Sequence, residues 1–166
     1  MGVLIYLEPS ALFKAYIPER GTKNVEWVLS ILGKELVAIT SRWTILEIVR
    51  GFVKRRNLGE LSSEDLRDIV DFFMHDIERM ELEKKLIVAD VSKEIILGSI
   101  ELLKLYNLYA ADAVHVKTAE AREAKAILVD DQHYDRISGA TKLKVINVEV
   151  DETTFKKSIK QLFSTK

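Results

Sequence analysis

The sequence predicts an α/β protein in which helices cover both faces of a central parallel sheet. Short, continuously apolar runs of strand length alternate with longer segments whose apolar residues recur at helical spacing. Strands that are separated by helices pair in parallel, and burial on both faces explains why the short runs are apolar throughout. No stretch has the composition of a linker or a repeat. We therefore predict one domain over residues 1–166, in which residues 151–166 form a C-terminal helix and tail.

The first half of the chain contains two of the predicted strands. Residues 3–7 form the first strand, and Pro9 suits the first turn of a helix over residues 9–16. Residues 23–32 are predicted to form a second helix, and residues 36–40 a second strand. Ser41 then caps a helix that reaches about residue 56, because a serine side chain satisfies free amide groups at a helix start.

The second half continues the alternation. Ser63 begins a helix with an apolar stripe, residues 85–89 form a short strand, and Ser92 caps a helix that ends near residue 106. An alanine-rich helix follows over residues 109–124. Residues 126–129 and 144–148 are the last two strands, and Asp151 caps a helix that extends to residue 162.

The composition narrows the possible functions. A formal net charge of -1 argues against a surface coated for nucleic acid, so a polynucleotide would have to bind a local basic patch. The candidate patch consists of Arg42, Arg50, Lys54, Arg55 and Arg56. The absence of cysteine excludes disulfides and thiolate zinc sites. No run has the length of a membrane span, and the apolar start of the chain lacks the features of a signal peptide, so we expect a cytoplasmic protein without membrane contacts.

Acidic residues follow two of the predicted strands. Glu8 comes directly after the first strand, and Asp130 and Asp131 come directly after the fourth. Ligands of parallel α/β sheets bind outside the carboxyl ends of the strands, where these side chains should meet. Each acid has a simpler interpretation, because acids also stabilise helix starts, and one of the two aspartates is expected to be a helix cap or turn residue.

Two further acids lie on predicted helices. Asp112 belongs to the alanine-rich helix, whose small side chains allow close packing, and no Lys or Arg lies three or four positions away to neutralise it. A buried acid of this kind either binds a cation or is hydrogen-bonded in the core. Glu47 faces away from the apolar stripe of its helix, close to Arg50, and taken alone is more typical of a solvated surface.

The residue types favour a hard divalent cation. Carboxylates that converge need a cation, and oxygen ligands suit Mg²⁺ or Mn²⁺, which can activate a water and stabilise a leaving oxygen. The chain's histidines, His75, His115 and His133, lack the spacing of zinc sites, and His115 is more typical of a packed core histidine. No phosphate-binding glycine-rich loop or nucleophile elbow is present in the sequence.

Four segments together resemble a PIN domain, the nuclease family that includes the toxin subunits of VapBC toxin-antitoxin pairs. The segments are residues 5–14 (IYLEPSALFK), 45–48 (ILEI), 109–115 (YAADAVH) and 128–134 (LVDDQHY). Each is short, but their order and spacing together resemble the family's pattern. The resemblance implies a PIN-like three-layer α/β/α fold and a divalent-metal-dependent endoribonuclease that hydrolyses RNA. It also implies a homodimer and a VapB-like antitoxin partner.

The resemblance assigns roles to individual residues. The catalytic, metal-binding acids that it implies are Glu8, Glu47, Asp112 and Asp131. Asp130 is a further candidate metal ligand, because the choice of Asp131 rests only on its spacing from the aromatic residue that follows. We predict that RNA binds Ser10, which the resemblance places beside the first acid, and also Arg42 and Arg50, which belong to the candidate basic patch.

One departure from the family pattern leaves a second function open. The first acid of the family is usually aspartate, whereas this chain has Glu8 followed by Pro9. An extra methylene can displace the carboxylate by about 1 Å, which can cost on the order of a hundredfold in rate. The alternative is a catalytically silent PIN-like module that binds RNA or a protein. A phosphoacceptor receiver domain would share the fold class, but the strand over residues 36–40 does not end in an acid.

We also predict a surface for the homodimer. The helix that begins at Ser63 has more apolar residues than a small domain needs for its own core. The residues predicted for the interface are Trp43, Leu66, Ile69, Val70, Phe73 and Ile77.

Overall fold

Strands and helices alternate along the chain in the computed structural model, which describes residues 2–164. The strands are β1 (Val3–Leu7), β2 (Leu36–Ser41), β3 (Leu86–Ala89), β4 (Ala126–Val129) and β5 (Lys144–Asn147). The helices are α1 (Pro9–Leu12), α2 (Thr22–Ser30), α3 (Arg42–Asn57), α4 (Ser63–Leu82), α5 (Lys93–Tyr106), α6 (Ala110–Ala121), α7 (Asp131–Ile137) and α8 (Glu152–Gln161). The five predicted strands are confirmed, whereas α7 was not predicted. The predicted domain also includes residues 1, 165 and 166, which lie outside the described residues.

The five strands form one parallel sheet in the order β3-β2-β1-β4-β5. In the central strand, Tyr6 pairs with Ile39 of β2 on one side and with Ile127 of β4 on the other. The chain first builds the sheet outward from β1 to β3 and then returns to β4, so the strand order reverses between β1 and β4. Ligands of open α/β sheets bind at such a reversal. The order also differs from the 2-1-3-4-5 order of receiver domains, which rules out that alternative.

The sheet is covered on both faces, as predicted. Successive residues of a strand point to opposite faces, so that Ile5 and Leu7 belong to one hydrophobic cluster and Tyr6 to the other. The first cluster contains buried residues of α2, α3, α4 and α8, and the second contains buried residues of α5, α6 and α7. This arrangement is the three-layer α/β/α architecture, in which β4 and residues 5–7 of β1 are buried between the layers.

The predicted helix caps are confirmed. The Ser41 hydroxyl accepts the amide of Thr44 in a capping box, and the Ser92 hydroxyl accepts the amide of Ile95. Asp151 caps α8 in the same way through the amide of Thr154. Each of these residues therefore ends a loop at the position where its side chain replaces a missing backbone acceptor.

The surface predicted for the homodimer is wrong for α4. Phe73 and Ile77 are fully buried in the first cluster, and Leu66, Ile69 and Val70 are partly buried against it. The apolar stripe of α4 therefore contributes to the chain's own core rather than to a second copy. Of the predicted surface, only Trp43 on α3 is exposed, by 45%.

Within residues 2–164, none of the helices combines the length and the apolar character that are needed to cross a bilayer.

Candidate active site

Glu8 lies at the carboxyl end of β1, in the centre of the sheet. It is buried, and as the N-cap residue of α1 its carboxylate Oε2 accepts the amide of Ser10 at 2.8 Å. The Ser10 hydroxyl donates to the same oxygen and accepts the backbone amide of Asp130 at 3.0 Å. The predicted contact between Ser10 and Glu8 is therefore confirmed. Because the hydroxyl is already used on both sides, Ser10 fixes the first acid and joins the ends of β1 and β4.

Asp112 lies in the first turn of α6 and is also buried. The sequence suggested an acid without a cation, since none is close along the helix. The fold supplies one from another element, because Arg136 of α7 donates from Nε to Asp112 Oδ2 at 2.9 Å. The Arg136 guanidinium also lies 4.9 Å from the centre of the Tyr109 ring, which contacts its outer side.

His133 of α7 completes a group with these two acids. Its Nε2 lies 3.8 Å from Glu8 Oε1 and 3.6 Å from Asp112 Oδ1. One ligating atom of each residue lies within 4.8 Å of the other two, a geometry that could hold a metal ion. His133 was not predicted for the site, because its spacing from the other histidines gave no metal motif. The signal that could have found it is its position three residues after Asp130, at the carboxyl end of β4.

Asp130 holds the His133 ring from the opposite side. It is the N-cap residue of α7, and its Oδ1 accepts the amide of His133 at 2.9 Å and lies 2.6 Å from His133 Nδ1. The expectation that one of the paired aspartates is a helix cap is therefore confirmed for Asp130. Burial alone would raise the pKa of Asp130, but these hydrogen bonds lower that pKa below its usual value.

The charges of the group perturb one another. Burial alone would lower the pKa of His133, but the hydrogen bond to Asp130 and the charges of Glu8 and Asp112 outweigh it and raise that pKa to about 9. Burial raises the pKa of Glu8, and the charge of His133 and the Ser10 hydrogen bonds offset only part of that effect. At neutral pH, the protonated His133 therefore acts as a counter-ion for the two buried acids.

Glu47 is part of a hydrogen-bonded chain rather than a solvated surface. Its Oε2 lies 2.5 Å from Nε2 of His115, and Nδ1 of that buried ring lies 2.8 Å from the Tyr6 hydroxyl. Burial raises the pKa of Tyr6, so the hydroxyl keeps its proton and donates to Nδ1. His115 then donates from Nε2 to Glu47. The side chain of Glu47 is only 32% exposed, and it is held toward the site by the sheet and by α6.

Asp131 is not part of the group, although it was predicted as the fourth acid. It is the first residue of α7, and its carboxylate is bound by the Asn147 amide and, at 2.9 Å, by Arg20. The Asn147 hydrogen bond is the largest of the effects that lower the pKa of Asp131 below its usual value. Its side chain is 42% exposed, whereas Asp130, its neighbour, faces His133.

An open cleft of about 340 Å³ connects the group to solvent. Its lining includes Glu8, Ser10, Glu47, Lys54, Arg55, Asp130 and His133.

Two residues of the predicted basic patch, Lys54 and Arg55, line the cleft. Arg42 pairs with Asp90 beyond β3, and Arg50 is exposed on α3 without lining the cleft. Arg55 is already paired with Glu19 and Glu60, which leaves Lys54 as the more accessible cation.

The residues present fit a divalent ion. Two buried carboxylates and a ring nitrogen face one another, and a third carboxylate, Glu47, lines the same cleft. Such an ion would be reached from the cleft, where a substrate phosphate could complete its coordination.

Comparison with known protein families gives a match over most of the chain. Residues 5–140 match the PIN domain family. No curated protein sequence matches the chain significantly.

Several solved structures share the fold at low identity. VapBC2 from Rickettsia felis, bound to a DNA fragment from its promoter, is 16% identical with a TM-score of 0.60, over 87% of this chain and 98% of that one. VapC20 from Mycobacterium tuberculosis, described as a toxin that cleaves the sarcin-ricin loop, is 12% identical with a TM-score of 0.60, over 84% and 98%. VapBC-1 from nontypeable Haemophilus influenzae is 16% identical with a TM-score of 0.55, over 89% and 100%.

Proposed function

The chain belongs to the PIN domain family, and from this premise we propose that it is a divalent-metal-dependent endoribonuclease, the toxin of a toxin-antitoxin pair. The observation that carries the proposal is the convergence of buried Glu8 and Asp112 at the carboxyl end of the sheet, open to a cleft. Two buried carboxylates close to one another are costly without a cation. A phosphodiester in the cleft would lie beside them.

Each residue of the site has a distinct part in the proposed reaction. A bound Mg²⁺ or Mn²⁺ would supply an activated water and stabilise the leaving oxygen. Glu8 and Asp112 would hold that ion, and Glu47, oriented by His115, would bind it or a water next to it. Lys54 lines the cleft, where its ammonium would bind the phosphate backbone of RNA. Asp131 could join the ion only after leaving Arg20 and Asn147, so we place it second to Asp130 as an additional acid.

The test is cleavage of labelled RNA and DNA by the purified protein with Mn²⁺, Mg²⁺ or a chelator. We expect RNA to be cut with either ion and no cleavage after chelation. Asp112→Asn should lose activity by about a hundredfold or more, because it removes a charge from the group that holds the ion. Asp90→Asn is the matched control, since that acid is exposed and pairs with Arg42 outside the cleft. Cleavage that persists in excess chelator would contradict the proposal.

Ion binding can be measured without substrate. An ion that binds only the folded protein stabilises it, and relief of repulsion between Glu8 and Asp112 adds to the effect. We expect saturable heats on titration with Mn²⁺ and a higher melting temperature in its presence. The heats and the increase in melting temperature should both be much smaller in Asp112→Asn than in Asp90→Asn.

One observation favours the catalytically silent alternative. Glu8 and Asp112 already have cationic partners in His133 and Arg136, so the fold tolerates both acids without an ion. A silent module would bind RNA through Lys54 and the neighbouring cleft but would leave it intact. RNA binding with unchanged RNA length in both Mg²⁺ and Mn²⁺ would establish this alternative.

We further propose a VapB-like antitoxin as the partner that closes the cleft. The support is the fold shared with a structure from Klebsiella pneumoniae that is described as a toxin-antitoxin complex. The candidate antitoxin is any small protein whose gene lies next to the gene for this chain. Co-purification with that protein, and loss of RNA cleavage in the complex, would support the pairing. Full cleavage by the complex would contradict a partner in the cleft.

A further inference from the structure

The three residues of the central group are each held by one atom and present another to a common centre. Glu8 uses Oε2 for Ser10, Asp112 uses Oδ2 for Arg136, and His133 uses Nδ1 for Asp130. The remaining atoms are Glu8 Oε1, Asp112 Oδ1 and His133 Nε2. Within residues 2–164, no hydrogen bond reaches either of these two carboxylate oxygens, although both acids are more than nine-tenths buried.

The spacing of these atoms suits an ion rather than direct contact. His133 Nε2 is 3.6 Å and 3.8 Å from the two oxygens, which is too long for a hydrogen bond. Ligands on one ion with bonds of about 2.1–2.2 Å lie roughly 3.0 Å apart at right angles and about 4.3 Å apart on opposite sides. The two distances to His133 Nε2 fall between these limits, and the ligating atoms of all three residues lie within 4.8 Å of one another. A small inward movement of the side chains would therefore let the three atoms share one ion.

The His133 ring is held as metal-binding histidines usually are. Such histidines donate their second ring N–H to a carboxylate or carbonyl, which fixes the tautomer and the orientation of the ring. Asp130 lies 2.6 Å from Nδ1 and also accepts the His133 amide at 2.9 Å. With Nδ1–H directed at Asp130, the Nε2 position faces Glu8 and Asp112, and a metal ion bound there would replace the Nε2 proton that the ring carries at neutral pH.

We propose that His133 Nε2 is a direct metal ligand together with Glu8 and Asp112, which makes this centre selective for Mn²⁺ over Mg²⁺. Imidazole binds first-row transition ions well, whereas Mg²⁺ prefers oxygen and retains its waters. The inference rests on the proposed function only in requiring that a divalent ion binds. It adds the nitrogen ligand and the order of preference between the two ions.

Calorimetry with each ion on the full chain tests the selectivity. We expect wild type to bind Mn²⁺ at least tenfold more tightly than Mg²⁺. His133→Gln should weaken Mn²⁺ binding by about tenfold to a hundredfold and change Mg²⁺ binding far less. His75→Gln is the control, because that histidine is exposed on α4 and accordingly should change neither. Equal losses for the two ions in His133→Gln would overturn the proposal.

A spectroscopic test decides the ligand even if His133→Gln fails to fold. Pulsed electron paramagnetic resonance of the Mn²⁺-bound wild type should show coupling to a directly bonded nitrogen. Labelling histidine with ¹⁵N should change that coupling, and His75→Gln should retain it. Bound Mn²⁺ without nitrogen coupling would overturn the role of His133 but leave a metal-dependent nuclease intact. No binding of either ion would instead refute the proposed function as well.

Discussion

Glu8 carries its carboxylate one methylene further from β1 than an aspartate would, and both of its oxygens have neighbours in the site. Ser10 binds one oxygen, and the other faces His133. If Glu8 is a working ligand, Glu8→Ala should abolish metal-dependent RNA cleavage, whereas Glu8→Asp should retain or increase it. A displacement of about 1 Å changes such a rate by on the order of a hundredfold. Cleavage assays with Mg²⁺ and Mn²⁺ measure both variants. Cleavage by Glu8→Ala at the wild-type rate would show that Glu8 is only the cap of α1.

His133 gives the metal-free protein a predictable pH dependence. Its pKa rises from 6.5 in the unfolded chain to about 9 in the fold. A raised pKa means that the stabilisation is fully present below pH 6.5 and is lost as the pH rises through 9. We expect the free energy of unfolding, measured with urea in chelator, to fall by about 1–3 kcal/mol across this window. His133→Gln should remove most of that fall. If the free energy of unfolding of this variant falls as much as that of wild type, the pH dependence comes from other groups.

Among the elements, α3 contains a glycine that the core requires. A Cβ at Gly51 would lie 2.7 Å from the Phe13 ring, which also contacts Phe52. Gly51→Ala gains about 0.5–1 kcal/mol of helix propensity but costs roughly 1–3 kcal/mol in overpacking, so we expect net destabilisation. Gly98→Ala in α5 is the matched comparison, because its Cβ would meet Lys117 at an ordinary 3.6 Å. That variant should stabilise by up to about 1 kcal/mol in urea unfolding. Equal stabilisation by both would contradict the packing argument.

The elements also show which parts of the site a sequence can predict. Glu8 and Asp130 follow apolar strands, and the ends of adjacent parallel strands meet wherever the sheet forms. The short helix α7 has a single fully buried residue, Ile137, so it lacks the apolar period that marks longer helices. His133 and Arg136 lie on α7, three residues apart, and both turn toward Asp112. The position of His133 near the end of β4 gave a signal, but the contacts of His133 and Arg136 with Asp112 could not be predicted, because they depend on how α7 packs on α6.

At the scale of the whole molecule, the site joins the two hydrophobic clusters. Leu7 and Leu128 belong to the cluster on one face of the sheet, whereas Asp112 and His133 come from helices on the other face. The strand order of the structure places the site between β1 and β4. The sequence pattern predicted the fold class but not this order. The prediction that α4 forms the dimer interface was wrong because an apolar stripe does not reveal whether it packs on the chain's own core or on a second copy.

We predict a homodimer through α5, because this helix carries exposed apolar residues that the chain's own core does not cover. Ile96 and Ile100, one turn apart, are 46% and 45% exposed, and Leu97 beside them is 53% exposed. Contiguous exposed apolar residues of this kind are typical of self-association. Light scattering at micromolar concentration should give twice the chain mass of 19.0 kDa. Ile96→Lys combined with Ile100→Lys should give a monomer, because two charges would be buried at the contact. Leu82→Lys is the control, since Leu82 is 85% exposed at the end of α4, and it should leave the dimer intact. A wild-type monomer, or a dimer that only Leu82→Lys dissociates, would contradict this interface.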